Sequence, residues 1–489
     1  MMKRLFVFLI LPLTLIAQKT VPFDQYFLDR TLRIDYYHIG DKINEWVTLD
    51  KLYKEGPWAG STTNLIDTFN NGKYYIKIYD EQSEKLIYSR GFNSYFGEYQ
   101  TTAAAKNGIK QTFHESALIP YPINSITFTL SARNQDNKLS RIFSTKIDPS
   151  DSTLITKHSR LSQVDTIRIL HNRPAHNAVD LALLAEGYTS NEYDKSVADF
   201  KHFAKVLFKH KPFAGNRQKF NIYGVFYPSD ESGCDEPTHD TYKNTALNTT
   251  FNSMGSPRYL LTEDNKALHD IGRHVPYDQL LIMVNQQRYG GGGIYNFYLT
   301  FTSNNEWRDY VFIHEFGHAF AGLADEYYSS STAYDAFYST QMEPVEPNIT
   351  ALLDPNVLKW RHLVNENTPI PTPWSKQLYD SLNNSYQKNR REYNNRIALM
   401  ERQRAPQEEI DRLKKEAHKV NQRVQSRLDS IINNSTYSHD IGAFEGAGYV
   451  SEGLYRPMMD CIMFSKGRKP FCRVCEAAIN DIIDFYTGQ

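Results

Sequence analysis

His314-Glu315-Phe316-Gly317-His318 combines residue types and a spacing that describe half of a metal site together with a base to use it. Residues four apart on a helix share one face, so the imidazoles of His314 and His318 can reach one ion. Glu315 lies one step round the helix, close enough to take a proton from a water held there. A catalytic zinc takes three protein ligands and keeps one position open. A third ligand is on offer a few residues later. Gly322 can turn the chain in the left-handed conformation, and Leu323-Ala324-Asp325-Glu326 then returns with two carboxylates. Asp325 is the better candidate and Glu326 the reserve. The competing reading is a solvated helix face carrying two surface histidines and two surface acids, and the surroundings have to decide.

The preceding residues predict a helix at that place. Asn304 and Asn305 are cap candidates, and Glu306 puts a carboxylate in the first turn, where it suits the positive helix end. Trp307, Tyr310, Val311 and Ile313 begin an apolar face that Phe316 and Phe320 continue at helical spacing.

The 489 residues suffice for two or three domains. Residues 1–17 place Lys3 and Arg4 ahead of an apolar run from Leu5 to Ile16 that ends at Ala17, which reads as a secretory signal cleaved near Ala17 or Gln18. No cysteine stands at its end for a lipid anchor, and no other run reaches transmembrane length. The mature protein is therefore expected outside the cytoplasm, as a periplasmic, cell-surface or secreted chain. The formal net charge of −1 comes without a polybasic patch or a nucleic-acid motif, so neither nucleic acid nor a membrane span is expected.

Export bears on the four cysteines. Cys472 and Cys475 have C-x-x-C spacing, with Cys461 and Cys234 elsewhere. In the cytosol a structural zinc would lead, whereas in an oxidising compartment disulfides are favoured. The expectation is a bridge between Cys461 and either Cys472 or Cys475, which would staple the segment around Met463.

Residues 20–155 read as β-rich. Lys73–Tyr79 alternates after an Asn71-Gly72 turn signal, and Glu84–Arg90, Ser125–Ala132 and Leu139–Ile147 continue in that style, which suggests a β-sandwich. Nothing in it looks catalytic, so a binding or packing role is expected. From residue 160 onward the pattern is mixed α/β. Val179–Leu184, Phe220–Tyr227 and Gln279–Val284 are short strands, and Thr189 with Glu192 forms a capping box that opens a helix through Leu207. Gly290-Gly291-Gly292-Gly293 lacks the Lys-Ser/Thr of a phosphate loop. It permits close backbone approach instead, beside an alternating strand from Ile294 to Thr302 that could pair with an extended peptide. Residues 374–433 stand apart. Ile410, Leu413, Ala417, Val420, Val424, Leu428 and Ile431 form a heptad seam, with Leu378, Leu382, Tyr386, Tyr393, Ile397 and Met400 as its partner and Ala405-Pro406 at the break: an inserted helical hairpin.

Three blocks carry a resemblance. HEFGHAFAGLADEYY (His314–Tyr328), IGAFEGAGYVSEGLYRP (Ile441–Pro457) and the run from Cys461 to Cys475, with its FCRVC, resemble the bacterial zinc metallopeptidases named for immunoglobulin A cleavage (peptidase family M-sixty-four). The resemblance covers most of residues 20–489. It implies an α+β protein in which a β-sandwich precedes a metzincin-like peptidase domain over 160–489. It further implies Zn2+ on His314, His318 and Asp325, Glu315 as catalytic base, and Met463 in a Met-turn beneath the metal. One departure stands out. The common metzincin spacing puts the third ligand ten residues after the first histidine, at Ala324, and Asp325 lies one further on, so the turn must hold an extra residue. The hairpin is not explained by the shared blocks.

The function expected is a zinc endopeptidase with a protein or glycoprotein substrate. Tyr449, Tyr455 and Arg456, near the Met463 segment, are candidate donors to the transition-state oxyanion. The alternatives are an exported glycan- or protein-binding module that has lost catalysis and a structural protein assembled through the hairpin.

Overall fold

The computed structural model describes residues 21–134, 136–158, 161–328, 337–467 and 469–488. The proposed leader, residues 1–17, lies outside them.

The first eight strands form two four-stranded sheets. β1 (Phe27–Gly40), β2 (Glu45–Lys54), β5 (Gln111–Pro122) and β8 (Ile155–Thr156) make one, in the order β5-β1-β2-β8; β3 (Tyr74–Asp80), β4 (Leu86–Phe92), β6 (Ile126–Arg133) and β7 (Leu139–Ile147) make the other, in the order β4-β3-β6-β7. Alternation along the strands sends Leu32, Ile34 and Tyr36 from the first sheet and Ile76, Ile78, Phe128 and Leu130 from the second into one core. This is the sandwich expected from the patterning. Asn71-Gly72 does not join two strands. It ends the loop before β3, with Gly72 at φ +95°.

The chain then builds a six-stranded sheet from β9 (Asp165–Leu170), β10 (Val179–Glu186), β11 (Phe220–Phe226), β12 (Gln279–Val284), β13 (Gly291–Ile294) and β14 (Tyr298–Thr302), in the order β13-β14-β12-β10-β11-β9. The four central strands are parallel and the two edges antiparallel. Parallel strands are buried on both faces, and all eight residues of β10 are buried. Leu181, Leu183 and Ala185 of β10 face a core that includes Phe203, Phe312 and Phe316 from the helices Tyr193–Leu207 and Arg308–Ala321. Ala182 and Leu184 face the core shared with the sandwich. The sandwich and the six-stranded sheet are thus welded through a common apolar core, which does not divide where the chain passes from β8 to β9.

Ile294–Thr302 is not one strand. The chain folds at residues 295–297 into the β13–β14 hairpin, with Asn296 at φ 51°. The capping box at Thr189 is formed. Residues 374–433 are indeed two long helices, Lys376–Arg402 and Gln407–Asn433. Their seam buries Ile410, Leu413, Ala417 and Leu428 as the heptad predicts, but Leu378 is exposed and Tyr379 and Asn383 are buried in its place. The tip rests on the body of the protein: Arg402 Nε donates to the Thr238 carbonyl at 2.6 Å and Glu401 pairs with His239 at 2.8 Å. After it come the β15 (Phe444–Ala447)–β16 (Val450–Arg456) hairpin and the helix Arg473–Thr487.

A candidate metal centre in a cleft

The helix Arg308–Ala321 starts later than its sequence suggests. The Asn305 side chain accepts the Trp307 N–H at 2.9 Å in a turn just before it, and Asp309, not Glu306, is the acid of its first turn. Val311, Phe312, Ile313, Phe316, Ala319 and Phe320 bury its apolar face. It stops at Gly322, which adopts the left-handed conformation at φ 59°. A side chain there would be strained, and it would also strike Asn71 of the sandwich, whose Nδ2 lies 2.2 Å from where a Cβ would stand. Asn71 donates to the Gly322 carbonyl at 3.3 Å, so the sandwich braces the end of this helix.

His314 and His318 converge as their spacing requires, with their Nε2 atoms 3.2 Å apart. Asp325 Oδ1 lies 3.0 Å from the first and 3.1 Å from the second. The far side of each ring is committed: His314 Nδ1 meets the Ile462 carbonyl at 3.0 Å and His318 Nδ1 the Leu323 carbonyl at 2.6 Å. A carbonyl can only accept, so each Nδ1 carries the proton, and both Nε2 lone pairs then face a carboxylate oxygen. Three such atoms in a triangle of 3.0–3.2 Å suit one shared cation, either a proton on an imidazole or a metal ion. Nitrogen and oxygen ligands at tetrahedral zinc distances stand ~3.3 Å apart, which these residues fit. The charges of these groups also favour one another. Burial disfavours charge on His318, but Asp325 and Glu315 outweigh it and push the imidazole up to about 9. Burial likewise acts against ionised Asp325, yet His318 and His314 hold its carboxyl well below the usual range.

The extra residue after the helix is absorbed in the turn. Leu323 N–H bonds back to the Gly317 carbonyl and the Leu323 carbonyl orients His318, leaving Asp325 to reach the imidazoles. Glu326, the reserve, points away from them into the group of Cys461, Cys472 and Cys475. Tyr449 donates its hydroxyl to Asp325 Oδ2, the oxygen remote from the histidines. Glu315 lines the cleft beside the imidazoles. Burial raises its carboxyl above the ordinary value, against the pull of His314 and His318.

Met463 is fully buried beneath this triangle. A Cβ added to Gly317, between the two histidines, would lie 3.0 Å from its Sδ, and the Met463 carbonyl accepts the Glu326 N–H at 2.9 Å. The glycine run acts on the other side. Cβ atoms at Gly291 and Gly293 would stand 2.7 Å from Val311 Cγ1 and 2.4 Å from the Glu315 carbonyl oxygen, so only glycine lets β13 lie flat on the helix that carries the histidines. β13 is an edge of its sheet and a wall of the cleft, with Tyr259 bridged to Gly291.

The cleft is lined by both polar and apolar side chains. Several of its polar residues carry no local sequence signal. Asn93 and Glu98 come from the sandwich, and Arg258 donates to Tyr327 Oη at 3.2 Å. Of the three candidate oxyanion donors, Tyr449 lines the cleft. Tyr455 instead exchanges backbone hydrogen bonds with Thr350, and Arg456 is buried against Trp374 and Phe464, donating to the Glu445 and Gly446 carbonyls. Neither lines the cleft. The expected disulfide is not formed. All four cysteines are free, and Cys461 Sγ and Cys475 Sγ stand 3.9 Å apart against ~2.05 Å for a bond. Cys234 is buried apart from them, near Glu236 and Glu186.

Comparison with known families adds two findings. The model described as IgA Peptidase M64 matches residues 167–483, and the one described as Peptidase M64 N-terminus matches residues 22–144. A search of curated proteins finds no match.

Proposed function

This chain belongs to the M64 peptidase family, which makes it a peptidase with a protein substrate, and we propose that it is a zinc-dependent endopeptidase whose general base is Glu315. The observation that carries the reading is the triangle of His314 Nε2, His318 Nε2 and Asp325 Oδ1, with both Nδ1 protons already committed to carbonyls. These three residues would hold the ion. Zinc so bound supplies Lewis acidity, bringing the pKa of water toward neutrality and polarising a carbonyl.

The chain's own groups do the rest. Glu315 takes a proton from the attacking water and returns it to the leaving amine, and its raised pKa suits a group that must both accept and release a proton. Tyr449 holds Asp325 in orientation through Oδ2. Tyr327 and Arg258, paired in the cleft wall, are the candidates for stabilising the developing oxyanion. The β13 edge from Gly292 to Ile294 offers main-chain groups to an extended peptide, which would place the scissile bond along the helix face. The family description names immunoglobulin A, but no residue of the cleft encodes that substrate. Residues 1–17 support an exported destination as part of the same proposal.

The test is hydrolysis of a proteome-derived peptide library by the purified protein, before and after chelation and after zinc is restored. Internal cleavage that chelation abolishes and zinc restores is expected. Zinc-loaded protein that binds peptides or glycoproteins yet cleaves none would overturn the reading in favour of a binding role.

A further inference from the structure

Below the cleft lies a second convergence of ligand atoms. Cys461, Cys472 and Cys475 surround Glu326, all four are buried, and their ligand atoms lie within 4.8 Å of one another. Cys461 Sγ is 3.9 Å from Cys475 Sγ, and Glu326 Oε1 is 3.3 Å from Cys475 Sγ and 3.9 Å from Cys472 Sγ. Tetrahedral zinc with sulfur at ~2.3 Å and oxygen at ~2.0 Å sets sulfur–sulfur edges of ~3.8 Å and sulfur–oxygen edges of ~3.5 Å. We infer that Cys461, Cys472, Cys475 and Glu326 form a closed structural site for a thiophilic divalent cation, zinc foremost, separate from the His314–His318–Asp325 triangle.

Three further observations support it. The sulfurs are already cradled as metal thiolates are, by backbone N–H groups: Cys461 Sγ accepts from Met463 N at 3.5 Å and Cys472 N at 3.2 Å, and Cys472 Sγ accepts from Cys475 N at 3.5 Å. Glu326 Oε1 also accepts from Asn348, while Oε2 is buried without a hydrogen-bond partner among the described residues, so protein donors only partly satisfy this carboxylate. Nearby, Arg456 is fully buried, and its Nε and Nη2 have no acceptor among the described residues. Three thiolates and one carboxylate around a divalent ion carry a net charge of −2. Glu326 and Asp460 are acidic groups near Arg456, and the net negative charge of the loaded site would add to the stabilisation of this buried guanidinium.

The site holds the cleft from beneath. Cys461 precedes Ile462, whose carbonyl orients His314, and Met463, whose carbonyl accepts from Glu326 N. One ion therefore ties the Met463 loop, the Asp325-Glu326 turn and the first turn of the C-terminal helix, where Cys472 is the N-cap. Four ligands leave no open position, which marks a structural rather than a catalytic site.

The test is the metal content of the full chain, with cobalt(II) as a spectroscopic probe. Zinc-loaded protein is expected to hold two ions per chain, His318→Ala one and Cys475→Ser one. Cobalt-substituted protein should show a near-ultraviolet sulfur-to-metal charge-transfer band that His318→Ala keeps and Cys475→Ser or Glu326→Gln loses or shifts. The wild-type spectrum decides even if a cysteine variant does not fold. A wild-type protein lacking the band would overturn the inference, as would a Cys461–Cys472 or Cys461–Cys475 disulfide found by mass spectrometry of unreduced, alkylated protein. If the band is present but only one ion binds, this site stands and the zinc reading of the histidine triangle falls.

Discussion

Asp325 and Glu326 are consecutive in the chain, yet their carboxylates belong to different clusters: Asp325 Oδ1 lies 3.0 Å from His314 Nε2, and Glu326 Oε1 lies 3.3 Å from Cys475 Sγ. Beyond Gly322 the chain leaves the helix, and in an extended segment successive side chains point to opposite sides. Two adjacent acids thereby serve the floor of the cleft and the support beneath it. Displacing either one therefore disturbs the position of the other.

Glu315→Gln tests the base. The amide is nearly isosteric and Glu315 is not part of the triangle, so bound zinc should be retained. Peptide hydrolysis should fall by about 10²–10⁴-fold or more. Full activity in the zinc-loaded variant would remove Glu315 from the mechanism.

Tyr449→Phe separates holding the third ligand from providing it. The ring stays in the cleft wall while the hydroxyl that binds Asp325 Oδ2 is lost. Zinc affinity should weaken by about 10–100-fold, as for other groups that orient a ligand, while Asp325→Ala should lose the ion altogether. Competition with a chelator of known affinity measures both, and equal effects would contradict the distinction.

The glycines of β13 are predicted to differ sharply. Gly293→Ala puts a methyl group 2.4 Å from the Glu315 carbonyl oxygen, which is helix backbone and cannot step aside. Gly292→Ala meets the end of the Leu261 side chain at 2.7 Å, which can rotate. Gly293→Ala should cost about 1–3 kcal/mol of stability and most of the activity, and Gly292→Ala clearly less. Chemical denaturation and peptidase assays of the pair decide it.

The sandwich should show its own pH dependence. Burial disfavours a charged His38, but Glu115 at 3.0 Å and Glu45 at 2.8 Å outweigh that and raise the imidazole to about 9 from an ordinary 6.5. A raised folded-state pKa means the stabilisation is fully present below pH 6.5 and is lost as pH climbs through 9. Its size is on the order of 3 kcal/mol. The melting temperature of the wild type relative to His38→Gln should therefore decline between those limits. A difference that stays flat, or grows, across that window would show that His38 is not the group responsible.

Much of this architecture can be read locally. The 3.6-residue period puts His314 and His318 on one face whatever the rest of the chain does, and Gly322 marks the helix end because few other residues accept its backbone angles. Alternation of period two locates β3, β4, β6 and β7 to within a residue or two, and the heptads locate the hairpin helices. Local patterning fails where a segment is short and apolar: Ile294–Thr302 reads as one strand but folds into a hairpin at Asn296.

The sequence by itself determined the chemistry on offer: two imidazoles and a carboxylate at fixed helical spacing, followed by two acids, a methionine and three cysteines. Only the tertiary structure decided how these were shared out, because the contacts that do so follow neither a helical nor a strand period. It set Asp325 against the histidines and Glu326 against the cysteines, kept Tyr449 in the cleft while sending Tyr455 and Arg456 elsewhere, and left the thiols apart rather than bridged. It also made the sandwich part of the site. Asn71 braces Gly322 and Asn93 lines the cleft because the sandwich and the six-stranded sheet share one apolar core, whose burial holds the two at a fixed separation.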